Sequence, residues 1–182
     1  MHAGQIQGFF DFPVDHLYGS AFFVPYIKTL NLDKIIFAAP DVGALGRARG
    51  FSRYFEGSEI VVCDKQRKRA NVIDKMQIIG DVKDADVIIV DDMIDTGGTM
   101  CRAAEIIMEK GAKSVRGLCT HPVLSGKAYE NIENSVLTEL VVTDTIPLAK
   151  ESSKIRVLTV AELFAKGIKN ITTDGSISQL FI

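Results

Sequence analysis

Within VIIVDDMIDTGGTM, residues 87–100, the side chains between Asp91 and Thr99 combine adjacent carboxylates, a further carboxylate at Asp95, two hydroxyls and a glycine pair. Gly97 and Gly98 let backbone N–H groups come close to an oxyanion, and Thr96 and Thr99 add hydroxyl donors. A helix beginning near Gly97 would aim unpaired amides and the positive end of its dipole at the same point. Asp91 and Asp92 would repel a phosphate, but they would accept from sugar hydroxyls or hold a hydrated Mg²⁺. An anion cup beside polyol acceptors suits a sugar phosphate. The competing explanation is that Asp95 caps the helix and the glycines only turn the chain. The apolar strand and the acidic pair ahead of the loop favour the ligand.

Two more stretches carry charge chemistry. APDVGALGRAR, residues 39–49, places Asp41 at a strand end, with freedom at Gly43 and Gly46 and positive charge at Arg47 and Arg49. An Asp beside phosphate oxygens serves chiefly as a magnesium ligand, although a turn with an N-capping Asp41 fits the same residues. The basic run KQRKR, Lys65 to Arg69, follows directly on the EIVVC segment. Such runs are commonly solvated surface loops. At a sheet edge, a mobile cationic loop would close over a polyphosphate and stabilise charge in a transferring phosphoryl group. Lys65 and Arg67 are the better candidates, because alternate positions of an extended loop point the same way.

The elements that must position these groups follow from hydrophobic spacing. KIIFAA at 34–39, EIVVC at 59–63, DVIIV at 86–90, SVRGLC at 114–119 and LTELVV at 137–142 read as strands. Several are almost continuously apolar, as strands covered on both faces are, and the segments between them are long enough for crossover helices. Met100, Ala103, Ala104, Ile107 and Met108 form one helical face, with Gly111 where a C-terminal cap belongs. The expected fold is one α/β domain over residues 1–182, a mostly parallel sheet flanked by helices with ligands at the carboxyl ends of its strands. The first twenty residues fit this pattern least well.

Composition excludes other classes. Lys+Arg 21 against Asp+Glu 23 gives a net charge of −2, which argues against nucleic-acid binding by bulk counterion release. No apolar run approaches the ~18 residues of a membrane span, and MHAGQIQG lacks the features of a signal peptide, so the expected location is cytoplasmic. Cys63, Cys101 and Cys119 are far apart among apolar neighbours, as small core residues would be.

The DDMIDTGGT loop resembles the phosphoribosyl-diphosphate motif of type I phosphoribosyltransferase-like proteins. Together with HAGQIQGFFDFPVDHL at 2–17, APDVG at 39–43, CDKQRKRANV at 63–72, GDVKDADVIIVDDMIDTGGT at 80–99 and VVTDTIP at 141–147, it resembles the ribose-phosphate diphosphokinase family across nearly the whole chain. The resemblance implies transfer of the diphosphoryl group of ATP, with Mg²⁺, to the 1-hydroxyl of ribose 5-phosphate. It implies that Asp91, Asp95, Thr96, Gly97, Gly98 and Thr99 hold ribose 5-phosphate, with Asp91 and Asp92 on the ribose hydroxyls. Lys65 would be catalytic, Arg67 would touch substrate, and His2 and Asp41 would occupy magnesium-site positions. Gln7, Asp15, Ser176 and Phe181 match places of a regulatory phosphate site between subunits, which implies a homo-oligomer.

The chain departs from the family in two ways. It matches the C-terminal half only, and the absent half supplies much of the ATP site, so this piece is expected to keep the cup and lose efficient kinase activity. The diphosphate loop of the family reads Asp-x-Gly-Gly-x-Lys-Arg, whereas here Asp41, Gly43 and Arg47 are kept, Ala44 stands for a glycine and Gly46 for the lysine. By analogy with the ~3 kcal/mol of one oxyanion donor, the missing charge weakens diphosphate binding. Two alternatives share the cup: a salvage phosphoribosyltransferase, and a non-catalytic regulatory or assembly subunit of a synthetase.

Overall fold

The apolar runs become neighbouring strands whose successive side chains enter two different cores. The computed structural model describes residues 2–180 except 70 and 71, and the backbone alone for 65–69 and 72–75. Strands β1 (Ile35–Ala39), β2 (Glu59–Arg69), β3 (Val72–Ile79), β4 (Asp86–Ile94), β5 (Ser114–Pro122), β6 (Glu139–Thr143) and β7 (Ile155–Leu158) form one sheet in the order β3-β2-β1-β4-β5-β6-β7. All neighbours pair parallel except β2 with β3. The helices are α1 (Ser20–Thr29), α2 (Leu45–Ser52), α3 (Gly98–Glu109), α4 (Ala128–Glu133) and α5 (Ala161–Thr172).

On one face, Ile36, Ala38, Val87, Ile89 and Val115 pack with Met100, Ala103, Ala104 and Ile107 of α3 and with Ala128 and Ile132 of α4. On the other, Phe37, Ala39, Ile88, Val90 and Leu118 pack with Phe23, Val24 and Ile27 of α1 and with Ala48 and Phe51 of α2. The two-residue period of a strand sends alternate residues to opposite faces, which is why β1 and residues 87–90 of β4 are apolar throughout. Each large aliphatic buried this way contributes roughly 1.5–3 kcal/mol relative to exposure. The expected α/β sheet, the α3 face and the buried free cysteines Cys63, Cys101 and Cys119 are all present. Gly111 (φ 88) ends α3 as expected, its N–H donating to the Met108 carbonyl at 3.0 Å.

The basic run requires a correction. Lys65 to Arg69 do not form an unpaired loop, because β2 continues through them and pairs antiparallel with β3, with register shifts between Gln66 and Arg67 and between Arg67 and Arg69. β3 was hidden from the pattern by Asp74, Lys75 and Gln77, which interrupt its apolar residues. β7 was hidden by its brevity, its four residues lying at the sheet edge. The first residues are indeed irregular: a 3-10 turn at Gly4–Phe9 buries nothing, and Phe9 and Phe12 are 85% and 64% exposed. Among the described residues, no helix is long and apolar enough to cross a membrane.

Candidate ligand cleft at the carboxyl edge of the sheet

β1 and β4 lie side by side and parallel, from Ile35↔Asp86 to Ala38↔Ile89. The chain leaving β1 passes through α2 to β2 on one side, and the chain leaving β4 passes through α3 to β5 on the other. Strand order therefore reverses between these two, and the loops splay apart to open a crevice, the usual ligand position in such sheets.

The loop after β4 is held from outside. Gly97 adopts φ 75 and precedes α3, a left-handed conformation that costs a residue with Cβ roughly 1–2 kcal/mol. The first amides of an α-helix lack an intrahelical carbonyl partner, and those of α3 begin at Gly98, a few residues beyond Asp91 and Asp92. The segment after β5 straps this loop in place. Leu124 N–H donates to the Ile94 carbonyl at 3.1 Å, and Ser125 N–H to the Asp95 carbonyl at 3.0 Å. The Ser125 hydroxyl donates to the Asp95 carboxylate, and Asn131 Nδ2 donates to the Thr96 carbonyl at 2.9 Å. Asp95 is thus bonded to Ser125 rather than capping α3. Ser125 and Asn131 escaped sequence reading, because nothing in their local spacing reveals a partner about thirty residues away; the turn residue Gly126 (φ 56) was the one available hint.

The loop after β1 is held by itself. Asp41 Oδ1 accepts from Ala44 N–H at 3.1 Å and caps the 3-10 turn Val42–Ala44. A Cβ on Gly43 would stand 3.2 Å from Asp41 Oδ1, whereas one on Gly46 would meet nothing within 4 Å. Arg47 reaches across the crevice to the Asp92 carboxylate and lies 3.9 Å from Asp91 Oδ1. His2 Nδ1 meets the other Asp92 oxygen, Oδ2, at 2.6 Å.

These contacts divide the acidic pair. Burial pushes the Asp91 carboxyl up to about 6, against the Asp92 backbone N–H at 2.9 Å and the Arg47 charge. Burial acts in the same direction on Asp92, but the His2 hydrogen bond and the Arg47 guanidinium outweigh it and hold that carboxyl below its usual range. Asp92 is thus engaged by Arg47 and His2, whereas Asp91 meets the Asp92 backbone N–H and lies 3.9 Å from Arg47.

The crevice has a volume of about 760 Å³, and His2, Gln7, Gly43, Gly46, Arg47, Asp91, Asp92, Thr120 and His121 are among its lining residues. The structure therefore brings together His2, Arg47, Asp91 and Asp92, with the Asp95–Thr99 cup following directly on β4. Among the described residues, no group of three or more His, Cys, Asp or Glu is placed to hold a metal ion; His2 is a partner of Asp92, and Asp41 of the Ala44 amide. Since Ala39 at the end of β1 pairs with Val62, the backbone of β2 carries Lys65 and Arg67 beyond the edge where the β1 loop begins. Gln7 lines the crevice and donates through Nε2 to the Gly4 carbonyl at 3.3 Å. Asp15 and Ser176 are exposed, and their segments meet α5, where a Cβ on Gly167 would touch both Leu17 and Leu180. Phe181 lies outside the described residues.

Comparison with known proteins follows the same geometry. The family model of the phosphoribosyl synthetase-associated domain matches residues 59–182. The ribose-phosphate pyrophosphokinase of Wolinella succinogenes is 56% identical over 182 residues, all of this chain and 59% of the relative. That of Campylobacter jejuni is 54% identical over the same extent. The chain thus spans 59% of the length of these curated relatives. The crystal structure of phosphoribosylpyrophosphate synthetase from Mycobacterium smegmatis superimposes with a TM-score of 0.87 at 34% identity, covering 96% of this chain and 57% of that one. An adenine phosphoribosyl transferase from Trypanosoma brucei, at TM-score 0.50 and 22% identity, covers 81% of this chain and 73% of its own, and shares the fold.

Proposed function

We propose, from the premise that the chain belongs to the phosphoribosyl synthetase-associated domain family, that it is the ribose 5-phosphate-binding part of a cytoplasmic ribose-phosphate diphosphokinase. The observation that carries this reading is the strapped β4–α3 loop, whose glycines and first helical amides stand directly after Asp91 and Asp92. The amides of Thr96 to Thr99 would hold the 5-phosphate, and Asp91 would accept from the ribose hydroxyls. In the reaction, the 1-hydroxyl oxygen of ribose 5-phosphate bonds to the β-phosphorus of ATP. The bond from that phosphorus to the α,β-bridging oxygen breaks, AMP leaves, and the hydroxyl proton passes to solvent.

Of the two positions that the resemblance names for Mg²⁺, Asp41 offers the oxygen donor that such a hard cation prefers when it arrives on nucleotide phosphates, whereas His2 offers a nitrogen. Asp41 and His2 are the residues that would hold it, and when bound it would offset charge on the transferring group. Lys65 and Arg67 would bring positive charge over the same edge. Arg47, freed from Asp92 by an incoming diphosphate, would turn to it. The exposed Phe9 and Phe12, with Phe164, Ile168 and Ile171 of α5, favour burial against further protein, consistent with a homo-oligomer.

The test is ³¹P NMR of ATP, Mg²⁺ and ribose 5-phosphate with the protein, beside calorimetry with ribose 5-phosphate alone. With the protein extended to the full length of its relatives, phosphoribosyl diphosphate and AMP should form, with Lys65→Ala cutting turnover about 100-fold, the scale of one transition-state contact. Binding without turnover would assign this chain the cup but not the transfer. Absence of ribose 5-phosphate binding would contradict the reading.

A further inference from the structure

We propose that His121 is a further ligand-contacting residue of the cleft, its Nε2 lone pair accepting a hydrogen bond from a hydroxyl of the bound sugar. The inference rests on the ribose 5-phosphate reading above and adds an acceptor which that reading did not contain. His121 pairs in register with Met93 of β4, two positions beyond Asp91↔Cys119, and lines the crevice with Asp91 and Asp92.

A ladder of hydroxyls fixes the other ring nitrogen. Thr143 is fully buried, and its hydroxyl donates to the Thr120 carbonyl at 2.6 Å. Thr145 Oγ1 lies 2.9 Å from the same carbonyl, 3.0 Å from Thr143 Oγ1 and 3.0 Å from His121 Nδ1. A hydroxyl has one proton to give. The shortest of the Thr145 hydroxyl's contacts is the one to the Thr120 carbonyl, which can only accept; with the proton given there, the Thr145 oxygen accepts from the imidazole, and this arrangement puts the ring proton on Nδ1. Burial holds the His121 pKa below its usual value, which keeps the ring neutral. A neutral ring protonated at Nδ1 has a bare acceptor at Nε2. Such an acceptor repels a phosphate oxygen and receives a hydroxyl proton, the same preference that the neighbouring carboxylates have. Thr145 is accordingly a positioning residue acting through His121.

Long-range ¹H–¹⁵N NMR of the imidazole reads the tautomer without any ligand. The proton should lie on Nδ1, and a proton on Nε2 would overturn the proposal. Calorimetry supplies the second arm, with ribose 5-phosphate and inorganic phosphate titrated in parallel. His121→Ala should weaken ribose 5-phosphate about fivefold, the loss of one hydrogen bond, and leave inorganic phosphate unchanged. Thr145→Val should give a smaller loss of the same selectivity together with a shifted tautomer balance. Wild-type affinity in His121→Ala, or equal loss for both ligands, would refute the role. Failure of the unaltered protein to bind ribose 5-phosphate would instead refute the proposed function, and the NMR arm would still decide the tautomer.

Discussion

The two loops at the carboxyl edge of the sheet start from neighbouring parallel strands and are built on opposite plans. The β4–α3 loop is tied from outside by Ser125 and Asn131, and its left-handed glycine sets the start of α3. The β1–α2 loop is held by its own Asp41 cap, by Arg47 donating to the Gly43 carbonyl at 3.5 Å, and by that arginine reaching across to Asp92. The first is preorganised, so a ligand there gives up little for ordering it. The second holds Arg47 on an internal carboxylate that a diphosphate would have to displace. On the proposed function, a single sheet edge would offer a fixed cup for one phosphate and an adjustable loop for another.

Gly97→Ala should break the contrast most. The space around Gly97 is ordinary, with Ile132 Cγ1 at 3.6 Å from an added Cβ, so the penalty is conformational, roughly 1–2 kcal/mol. Ribose 5-phosphate affinity should fall about tenfold by calorimetry as the amides move, while diphosphate affinity stays within about twofold. Ser125→Ala comes next, because it removes one charge-assisted strap; a loss of ~1 kcal/mol, about fivefold in ribose 5-phosphate affinity, is expected, with little effect on diphosphate. Equal losses for both ligands in either variant would show that the loops are not independent. Gly46→Lys sharpens the comparison with the smallest effect. Nothing obstructs a side chain there, and a cation in the crevice should raise diphosphate affinity about two- to threefold at low salt, fading as ionic strength rises.

How far the sequence disclosed this arrangement varies by residue. The α/β sheet, α3 and the glycine turn that precedes it were readable because buried parallel strands leave continuous apolar runs and a glycine pair marks the start of a helical face. Facing loops at one edge followed from parallel strands, and the Arg47–Asp92 contact realises that expectation. Ser125, Asn131 and the Thr143–Thr145 ladder were not readable, since their roles exist only through partners distant in the chain. KQRKR was misread as a loop because charge suppresses the apolar alternation on which strand recognition relies, although its backbone pairs with β3.

Amide chemical shifts recorded while ribose 5-phosphate is titrated into the protein test the central claim most directly. The account predicts large saturating shifts at Thr96, Gly97, Gly98 and Thr99, accompanied by the Asp91 region of β4. Shifts confined to residues 41–47, or none at saturating ligand, would contradict it.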